Sequence, residues 1–352
     1  MKTLFLHRRQ LLFAGVGAAV LAQSAWGQNR SRGLEISTLY ITLDEADSMR
    51  HLPLYLAQSL GFFDQEQLQV RLIHVPTDSQ SLEQQAQVRS EVFAGSFERV
   101  LYLHAQGLSN QAFLMLTRSP GVVLLTKGQS AVGPQGLGSL AELTGLRWGV
   151  GPQGGLSHRV AMLSLLRAGM KINDVQWKHA ASETELLKTL DMQKVDVVGL
   201  TDLAATQLER AANMRVLLDT RTQRDTDWLY GGSSAGVTLS ASNSFIDRNP
   251  LTIQAVTQAV LKAMVWMRTA SPTDLTRHVP KTLLETNSPV FFSAWSRARE
   301  GFSSDGVLPD GAAVNMLKGL QRLQLVSDVS TLNPANTFNN RFAIRSRQQL
   351  RA

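Results

Sequence analysis

The sequence predicts an α/β protein built from parallel-rich sheets with helices on both faces. Short apolar runs typical of strands alternate with segments of helical apolar spacing from residue 34 to residue 218. After residue 230 the pattern changes to one strand followed mostly by helix. The chain has 352 residues, a length that suits two domains or two lobes.

The first part of the chain begins this alternation. Leu34–Leu43 has the period of two that is typical of a strand, whereas Leu52–Phe63 has helical spacing and closes at Gly61. The other predicted elements here are strands at Val70–Val75, Glu91–Ala94, Ala112–Leu116 and Gly121–Thr126, and helices at Ser81–Arg89 and Phe97–His104.

The middle part repeats the alternation, and the last part is mainly helical. Leu146–Gly149 predicts a strand, and Leu156–Ala168 predicts a helix with apolar residues at helical spacing. Pro250 takes a first-turn position before the helix Leu251–Met267. The other predicted elements are strands at Val175–His179, Val195–Leu200, Met214–Leu218 and Gly236–Ser240, and helices at Glu183–Leu190 and Leu203–Ala211.

Residues 1–27 predict a secretory signal peptide. Arg8 and Arg9 precede a run of twelve apolar residues, Leu11–Ala22, which is too short to span a membrane because a spanning helix needs about 20 residues. Ala25-Trp-Gly27 offers small residues at a cleavage site. The arginine pair resembles the twin-arginine export pattern, with His7 where Ser or Thr is usual. An ordinary export signal and a buried N-terminal helix are the alternatives.

The composition excludes several functions. The sequence has no cysteine, so it can form no disulfide and carry no catalytic or lipid-bearing thiol. The formal net charge of +7 falls by three when the signal peptide leaves. Arg341, Arg345, Arg347 and Arg351 make residues 341–352 a basic tail, predicted to be solvated or frayed. No basic patch is interleaved with aromatic residues, so a nucleic-acid partner is not expected.

A glycine motif raises the question of a dinucleotide. Gly149, Gly151 and Gly154 follow the G-x-G-x-x-G pattern, and Asp174 comes twenty residues after the third glycine. In a dinucleotide-binding fold the acidic residue ends the second strand, but Asp174 precedes the strand predicted there. Pro152 also lacks the N–H that would face a pyrophosphate. We therefore expect no NAD and no other cofactor.

The same turn leads into a predicted helix and could bind an anion. The first N–H groups of a helix are unpaired and carry partial positive charge. Ser157 and His158 lie in the first turn and could add a hydroxyl and an imidazole. The alternative is that Ser157 only caps the helix and His158 faces solvent.

Neither a hydrolase nor a metal site is predicted. Gly232–Gly236 fits the G-x-S-x-G pattern, but a nucleophile elbow needs a strand before the serine and a helix after it. Here a strand follows the serine instead. The seven histidines are scattered and form no His-x-His or H-E-x-x-H pattern.

Five segments in order resemble the solute-binding proteins of ABC importers for sulfonates, taurine, nitrate and thiamine precursors. They are HLPLYLAQSLGFFDQEQLQVRL, SPGVVLL, LGSLAELTGLRWGVGPQGGLSH, KTLDMQKVDVVGLTD and FIDRNPLTIQAVTQAVLKAMVWM. The resemblance implies a two-lobed type II periplasmic-binding fold, each lobe a mixed sheet flanked by helices. Residues 34–124 and 231–340 would form lobe 1, and residues 125–230 would form lobe 2.

The resemblance also implies a ligand site between the lobes, without a catalytic residue or a metal. Loops after several strands would supply the contacts, because open α/β sheets bind ligands at the carboxyl ends of their strands. The implied ligand-binding residues are Asp44, Asp47, His51, Gly95, Ser96, Phe97, Gly154, Gly155, Ser157, His158, Thr201, Asp202 and Tyr230.

The implied function is that of a monomeric periplasmic receptor. It would capture a small polar or anionic molecule and deliver it to an ABC permease in the inner membrane. Two departures leave the ligand open: Gly155 stands where relatives often have serine, and the loop LDEADSMRH is acidic. Carboxylates favour amines, a metal or donor-rich heterocycles such as pyrimidines, unless they point into water. An exported α/β enzyme and a sensory or structural module are the other hypotheses.

Overall fold

Two five-stranded sheets organise the chain. The computed structural model describes residues 33–351, apart from 47, 76–79, 128–142, 190–193, 212–213, 286–287 and 328–331. The predicted signal peptide and Asp47 therefore lie outside the described residues. Glu35–Ala352 form one compact unit, to which the following description applies.

The described residues form ten strands, five in each sheet. In chain order they are β1 (Thr38–Leu43), β2 (Gln69–His74), β3 (Val92–Ser96), β4 (Asn110–Met115), β5 (Val122–Lys127), β6 (Arg147–Val150), β7 (Gln176–His179), β8 (Val197–Thr201), β9 (Met214–Asp219) and β10 (Val237–Ser242). The first sheet has the order β2-β1-β3-β10-β4, and the second has the order β7-β6-β8-β5-β9.

Both sheets are mixed and have the same pattern of strand directions. In the first sheet β1 runs parallel to β2 and β3, and β10 runs antiparallel to β3 and β4. In the second sheet β6 runs parallel to β7 and β8, and β5 runs antiparallel to β8 and β9. The parallel strands in each sheet end at one edge, so the loops that follow them lie together there.

Helices cover the sheets. They are α1 (Leu52–Ser59), α2 (Phe62–Gln65), α3 (Leu82–Gln87), α4 (Phe97–Ala105), α5 (Leu156–Arg167), α6 (Glu183–Thr189), α7 (Asp202–Ala211), α8 (Gln223–Tyr230), α9 (Asn243–Arg248), α10 (Pro250–Thr269), α11 (Pro272–His278), α12 (Lys281–Glu285), α13 (Ser288–Ala298), α14 (Ala312–Arg322) and α15 (Arg341–Arg351). Short 3-10 turns occur at Met49–His51, Ile172–Asp174, Arg299–Gly301 and Pro334–Thr337. The predicted α/β class, with mixed sheets flanked by helices, is confirmed.

One apolar core joins the two sheets. It contains Val100 from α4, Val160 and Leu163 from α5, and Leu320 from α14, all of them buried. Arg210 of α7 donates a hydrogen bond to the carbonyl of Pro289 in α13, 3.2 Å away. Helices that follow the last strand of the first sheet therefore pack against helices of the second sheet.

The connection between the sheets precedes the predicted lobe boundary. Residue 124 lies within β5, which pairs only with strands of the second sheet. The chain therefore passes from one sheet to the other between β4 and β5, around the Ser119-Pro120-Gly121 turn.

Two predicted elements differ from the structure. The helix Leu52–Phe63 is split at Gly61, whose φ of 69° lies in the left-handed region that glycine favours. The basic tail is not frayed, because Arg341–Arg351 form the amphipathic helix α15, whose outer face, including Arg341 and Arg345, is exposed as predicted. Phe342 and Ala343 are buried, and Ser346 accepts a hydrogen bond from Gln254 of α10. The prediction rested on the four arginines of this segment, which do not reveal that Phe342 and Ala343 form an apolar face.

Candidate functional site

A cavity of about 480 Å³ is lined by both sheets. It lies at the carboxyl ends of β1, β6 and β8, which is where open α/β sheets bind ligands. The first sheet contributes the loop after β1 and part of α3, and α12 adds Thr282 and Leu283. The second sheet contributes the loop after β6, the start of α6 and the junction of β8 with α7. The polar and charged residues that line the cavity are Asp44, Glu45, Ser48, Arg50, Gln80, Gln85, Ser157, Arg159, Ser182, Glu183, Thr184, Thr201, Asp202, Gln207 and Thr282.

Asp44 is held by several hydrogen bonds at the end of β1. Its Oδ1 lies 2.8 Å from Nε2 of His51, and its Oδ2 accepts the N–H of Ser96 at 3.1 Å. Burial alone would raise the pKa of Asp44, but Arg50, His51 and the Ser96 N–H together hold it well below its ordinary value. Asp44 is therefore an anion at neutral pH, and its charge is matched by neighbouring protein groups.

Arg50 is a buried cation that two carboxylates neutralise. Its Nη2 donates to Glu45 Oε2 at 2.8 Å and to Asp44 Oδ1 at 3.5 Å. The side chain of Arg50 is 4% exposed. Burial acts to lower the pKa of Arg50, but the adjacent carboxylates outweigh it and raise the pKa above its usual range. Arg50 therefore stays charged and is already paired.

The glycine-rich turn after β6 uses its own side chains as acceptors. Gly151 donates its N–H to Ser157 Oγ at 3.1 Å, and Gly154 donates its N–H to His158 Nδ1 at 3.0 Å. Burial, then His179 and Arg159, lower the pKa of His158 to about 4, so its ring is neutral at pH 7. Gly155 precedes the first residue of α5, and the N-terminal end of α5 faces the cavity through Leu156 and Ser157.

Glu183 faces the cavity from the start of α6. Its Oε2 accepts the N–H of Thr201 at 2.9 Å and the hydroxyl of Thr201 at 2.7 Å. Burial raises the pKa of Glu183, and the negative charge of Glu45 raises it further. The hydrogen bonds fix the position of this carboxyl group, while Glu45 disfavours its ionisation.

Asp202 is buried at the start of α7 without a hydrogen-bond donor for Oδ1. Asp202 lines the cavity and is 5% exposed, and its Oδ1 has no partner among the described residues. Burial raises the pKa of Asp202 to about 7, although Arg221 and Arg50 act in the opposite direction. A buried acceptor without a donor is costly, so this carboxyl is poised for an added donor.

A buried ion pair at the wall of the cavity joins helices that cover the two sheets. Arg159 of α5 donates through Nε to Glu98 Oε2 of α4 at 2.8 Å, and both side chains are 2% exposed. The hydroxyl of Tyr230 donates to Glu98 Oε1 at 3.1 Å. Burial, together with Glu98, raises the pKa of Tyr230 well above its usual value, so the hydroxyl keeps its proton. These contacts connect α4, α5 and the end of α8.

The residues proposed from sequence, apart from Asp47, fall into two groups. Those that line the cavity are Asp44, Gly155, Ser157, Thr201 and Asp202. Those that lie around it without lining it are His51, Gly95, Ser96, Phe97, Gly154, His158 and Tyr230. Several of the second group act on the first, because His51 and Ser96 hold Asp44, and His158 holds the glycine-rich turn. Their roles in ligand binding stay predictions.

Many residues that line the cavity were not among the proposed set, and four of them contribute to its charge or hydrogen bonding: Glu45, Arg50, Gln85 and Glu183. Glu183 had a usable sequence signal, because it begins a helix shortly after a predicted strand ends. Arg50 and Glu45 lie in the acidic loop LDEADSMRH, from which only Asp44, Asp47 and His51 were proposed as ligand-binding residues. Gln85 had no signal, since only the packing of α3 brings it to the cavity.

The two other sequence motifs take structural roles. Asp174 accepts the N–H of Lys171 through Oδ2 at 2.8 Å, in the turn before β7. Ser234 of the G-x-S-x-G pattern donates its hydroxyl to the carbonyl of Arg118 at 3.0 Å. Within the described part of the chain no group of three or more His, Cys, Asp or Glu side chains is placed to hold a metal ion. No helix there has the length and apolarity needed to cross a membrane.

Two mixed sheets with a cavity between them define a periplasmic binding protein fold. The chain belongs to the NMT1/THI5-like family, whose sequence profile matches residues 48–273. No curated protein sequence matches the chain at a significant level.

Solved structures agree with this fold. A protein of Bordetella bronchiseptica RB50 is 28% identical, with a TM-score of 0.77 over 91% of this chain and 99% of that chain. The periplasmic aliphatic sulphonate-binding protein SsuA of Escherichia coli is 17% identical, with a TM-score of 0.63 over 83% and 94%. The periplasmic nitrate-binding protein NrtA of Synechocystis PCC 6803 is 13% identical, with a TM-score of 0.65 over 90% and 90%.

Proposed function

We propose that the protein is the solute-binding receptor of an ABC importer. It captures a small polar molecule in the cavity, encloses it between two lobes and presents it to a permease in the inner membrane. The observation that carries the proposal is the cavity itself, because both sheets supply polar side chains to one space of about 480 Å³. That volume lies within the range of small-molecule sites.

The family and its structural neighbours support this function. The chain belongs to the NMT1/THI5-like family, and it has the fold of proteins that bind an aliphatic sulphonate or nitrate. Those two ligands are small and polar, which suits the cavity. The proposed receptor works by hinge closure, in which two lobes move around short connections.

Several further features belong to the same proposal. Lobe 1 contains β1–β4 and β10, lobe 2 contains β5–β9, and the connections near residue 120 and between β9 and β10 form the hinge. Residues 1–27 direct export to the periplasm, where the mature chain acts as a soluble monomer. N-terminal sequencing of the exported protein tests the cleavage, which we expect after Gly27.

Calorimetric titration followed by recovery of the ligand tests the receptor function. The purified protein is titrated with taurine, alkyl sulfonates, nitrate and an aminomethylpyrimidine. We expect one of these compounds to bind reversibly at one site per chain and to be recovered unchanged, as judged by NMR. Recovery of a chemically altered compound would contradict the proposal.

An enzyme on the same fold is the second candidate. A desulfurization enzyme, DSZB, shares the fold, and the cavity holds two carboxyl groups with raised pKa values, which are common at catalytic sites. The same recovery experiment separates the two functions, because a receptor releases what it bound and an enzyme releases a product.

A further inference from the structure

The charges of the cavity are mostly negative. Four carboxyl groups line it, from Asp44, Glu45, Glu183 and Asp202, against two guanidinium groups, from Arg50 and Arg159. Glu45 and Arg50 belong to the loop after β1, whereas Glu183 and Asp202 begin helices of the second sheet. A ligand in this space therefore meets carboxyl groups from both sides.

Both cations are already paired within the protein. Arg50 Nη2 binds Glu45 at 2.8 Å and Asp44 at 3.5 Å. Arg159 donates through Nε to Glu98 at 2.8 Å and through Nη1 to the carbonyl of Gly154 at 2.6 Å. Arg50 Nε has no hydrogen-bond partner among the described residues, but an anionic ligand at either guanidinium group would still approach the carboxylates already paired with it.

Two buried acceptor atoms at the cavity have no donor, and this observation is independent of the charge count. Asp202 Oδ1 and Gln85 Oε1 find no hydrogen-bond partner among the described residues, and the two residues are 5% and 4% exposed. Gln85 uses its Nε2 on the carbonyl of Gln80 at 3.4 Å. Buried acceptors left without partners favour a ligand that brings N–H donors.

We propose that the ligand carries a protonated nitrogen, as an amine, amidine or guanidine, which binds between Glu45 on one lobe and Glu183 and Asp202 on the other. This inference rests on the proposed receptor function and names its ligand class. The cation would supply donors to the unpaired acceptor and would screen the carboxylates of the two lobes from each other. Ligand capture and lobe closure are then coupled through charge.

An acid group elsewhere on the ligand is compatible with this site. The N-terminal end of α5 reaches the cavity through Gly155, Leu156 and Ser157. The first N–H groups of a helix favour negative charge. A zwitterion could place its acid group there and its nitrogen at the carboxylates, so the discriminating feature of the ligand is the nitrogen.

Paired compounds that differ in the nitrogen test the inference. Thermal unfolding of the purified protein is followed with benzamidine and benzenesulfonate, with butylamine and butanesulfonate, and with taurine and ethanesulfonate. Nitrate and calcium chloride are included separately. We expect the unfolding midpoint to rise with a nitrogen-bearing member and not with its counterpart, because only the former supplies donors to the carboxyl groups.

Isosteric variants locate the effect in the cavity. Asp202→Asn and Glu183→Gln should each lower the affinity for the stabilising amine or amidine about tenfold or more, as measured by calorimetry. Asp64→Asn is the matched control, because Asp64 is an exposed acidic residue in the first turn of α2 and does not line the cavity. The control should keep the affinity of the unaltered protein. Circular dichroism of each variant establishes that it is folded.

Several results would overturn the inference. Stabilisation by ethanesulfonate equal to that by taurine, or by nitrate alone, would show an anion site and would leave the receptor function standing. Stabilisation by calcium alone would show a metal site. The absence of any shift across the three pairs would also exclude the proposed ligand class. Consumption of a bound compound would contradict the receptor function instead.

Discussion

Replacement of Asp202 by asparagine should stabilise the protein and weaken its ligand binding. Asp202 is 5% exposed, and its Oδ1 has no hydrogen-bond donor among the described residues. Its carboxylate form is therefore a buried charge that is poorly compensated, and the isosteric amide removes that charge. A gain in stability at the expense of binding is expected where a site is kept strained for function.

The size of the effect follows from the raised pKa of Asp202. Burial raises this pKa from 3.8 to about 7 in the folded protein. Because one pKa unit corresponds to about 1.4 kcal/mol, the ionised carboxyl costs up to about 4 kcal/mol of folding free energy at pH 8. Water in the cavity screens part of this cost, so we expect a gain of about 1 to 4 kcal/mol for Asp202→Asn.

The gain should depend on pH with a definite sign. Between pH 3.8 and about 7 the folded state holds a proton on Asp202 that the unfolded state has lost, so stability falls as pH rises through this window. Urea unfolding at pH 5, 6 and 8 should show the gain increasing from pH 5 to pH 8. Asp64→Asn should stay within about 0.5 kcal/mol of the unaltered protein. A loss of stability at pH 8, or a gain independent of pH, would refute the reasoning.

Two further substitutions test the contacts between the sheets. Arg159→Met should lower the unfolding free energy measured in urea by about 3 to 5 kcal/mol, because it leaves the charge of Glu98 buried without a partner. The double variant Arg159→Met/Glu98→Gln should recover part of this loss. An equal loss in the single and the double variant would show that the unpaired charge of Glu98 is not the cause. Gly154→Ala should lower the thermal midpoint more than Gly61→Ala: both positions have φ near 70°, but only at Gly154 would the new Cβ stand 2.8 Å from Ser81 Cβ. Equal decreases of the thermal midpoint in the two variants would show that the contact with Ser81 has no effect on stability.

Periodicity was sufficient to predict the strands, because each strand carries its own local signal. β3 and β8 are short apolar runs, and their predicted bounds differ from the observed ones by a few residues. The sheet order and the passage of β5 into the second sheet depend on long-range pairing, which one sequence does not reveal. The same limit applied to α15, where Phe342 and Ala343 meet α10 only after the chain has folded.

The candidate site was predictable in location but only partly in composition. Asp44, Ser157 and Asp202 follow strands or begin helices at the expected edge, so their positions could be inferred from topology. The pairing of Arg50 with Glu45 could not be inferred, because it depends on the turn Met49–His51 that directs Arg50 inward. Gln85 reaches the cavity only through the packing of α3.

A measurement of lobe closure on ligand binding is the most direct test of the proposed receptor function. The sequence has no cysteine, so Glu83→Cys in α3 and Lys188→Cys in α6 give two specific sites for a fluorescent donor and acceptor. Energy transfer is measured while the amines, sulfonates and nitrate named above are added in turn. We expect one compound to raise the transfer efficiency saturably and to be recovered unchanged. No change with any compound, or recovery of a product, would contradict the receptor function.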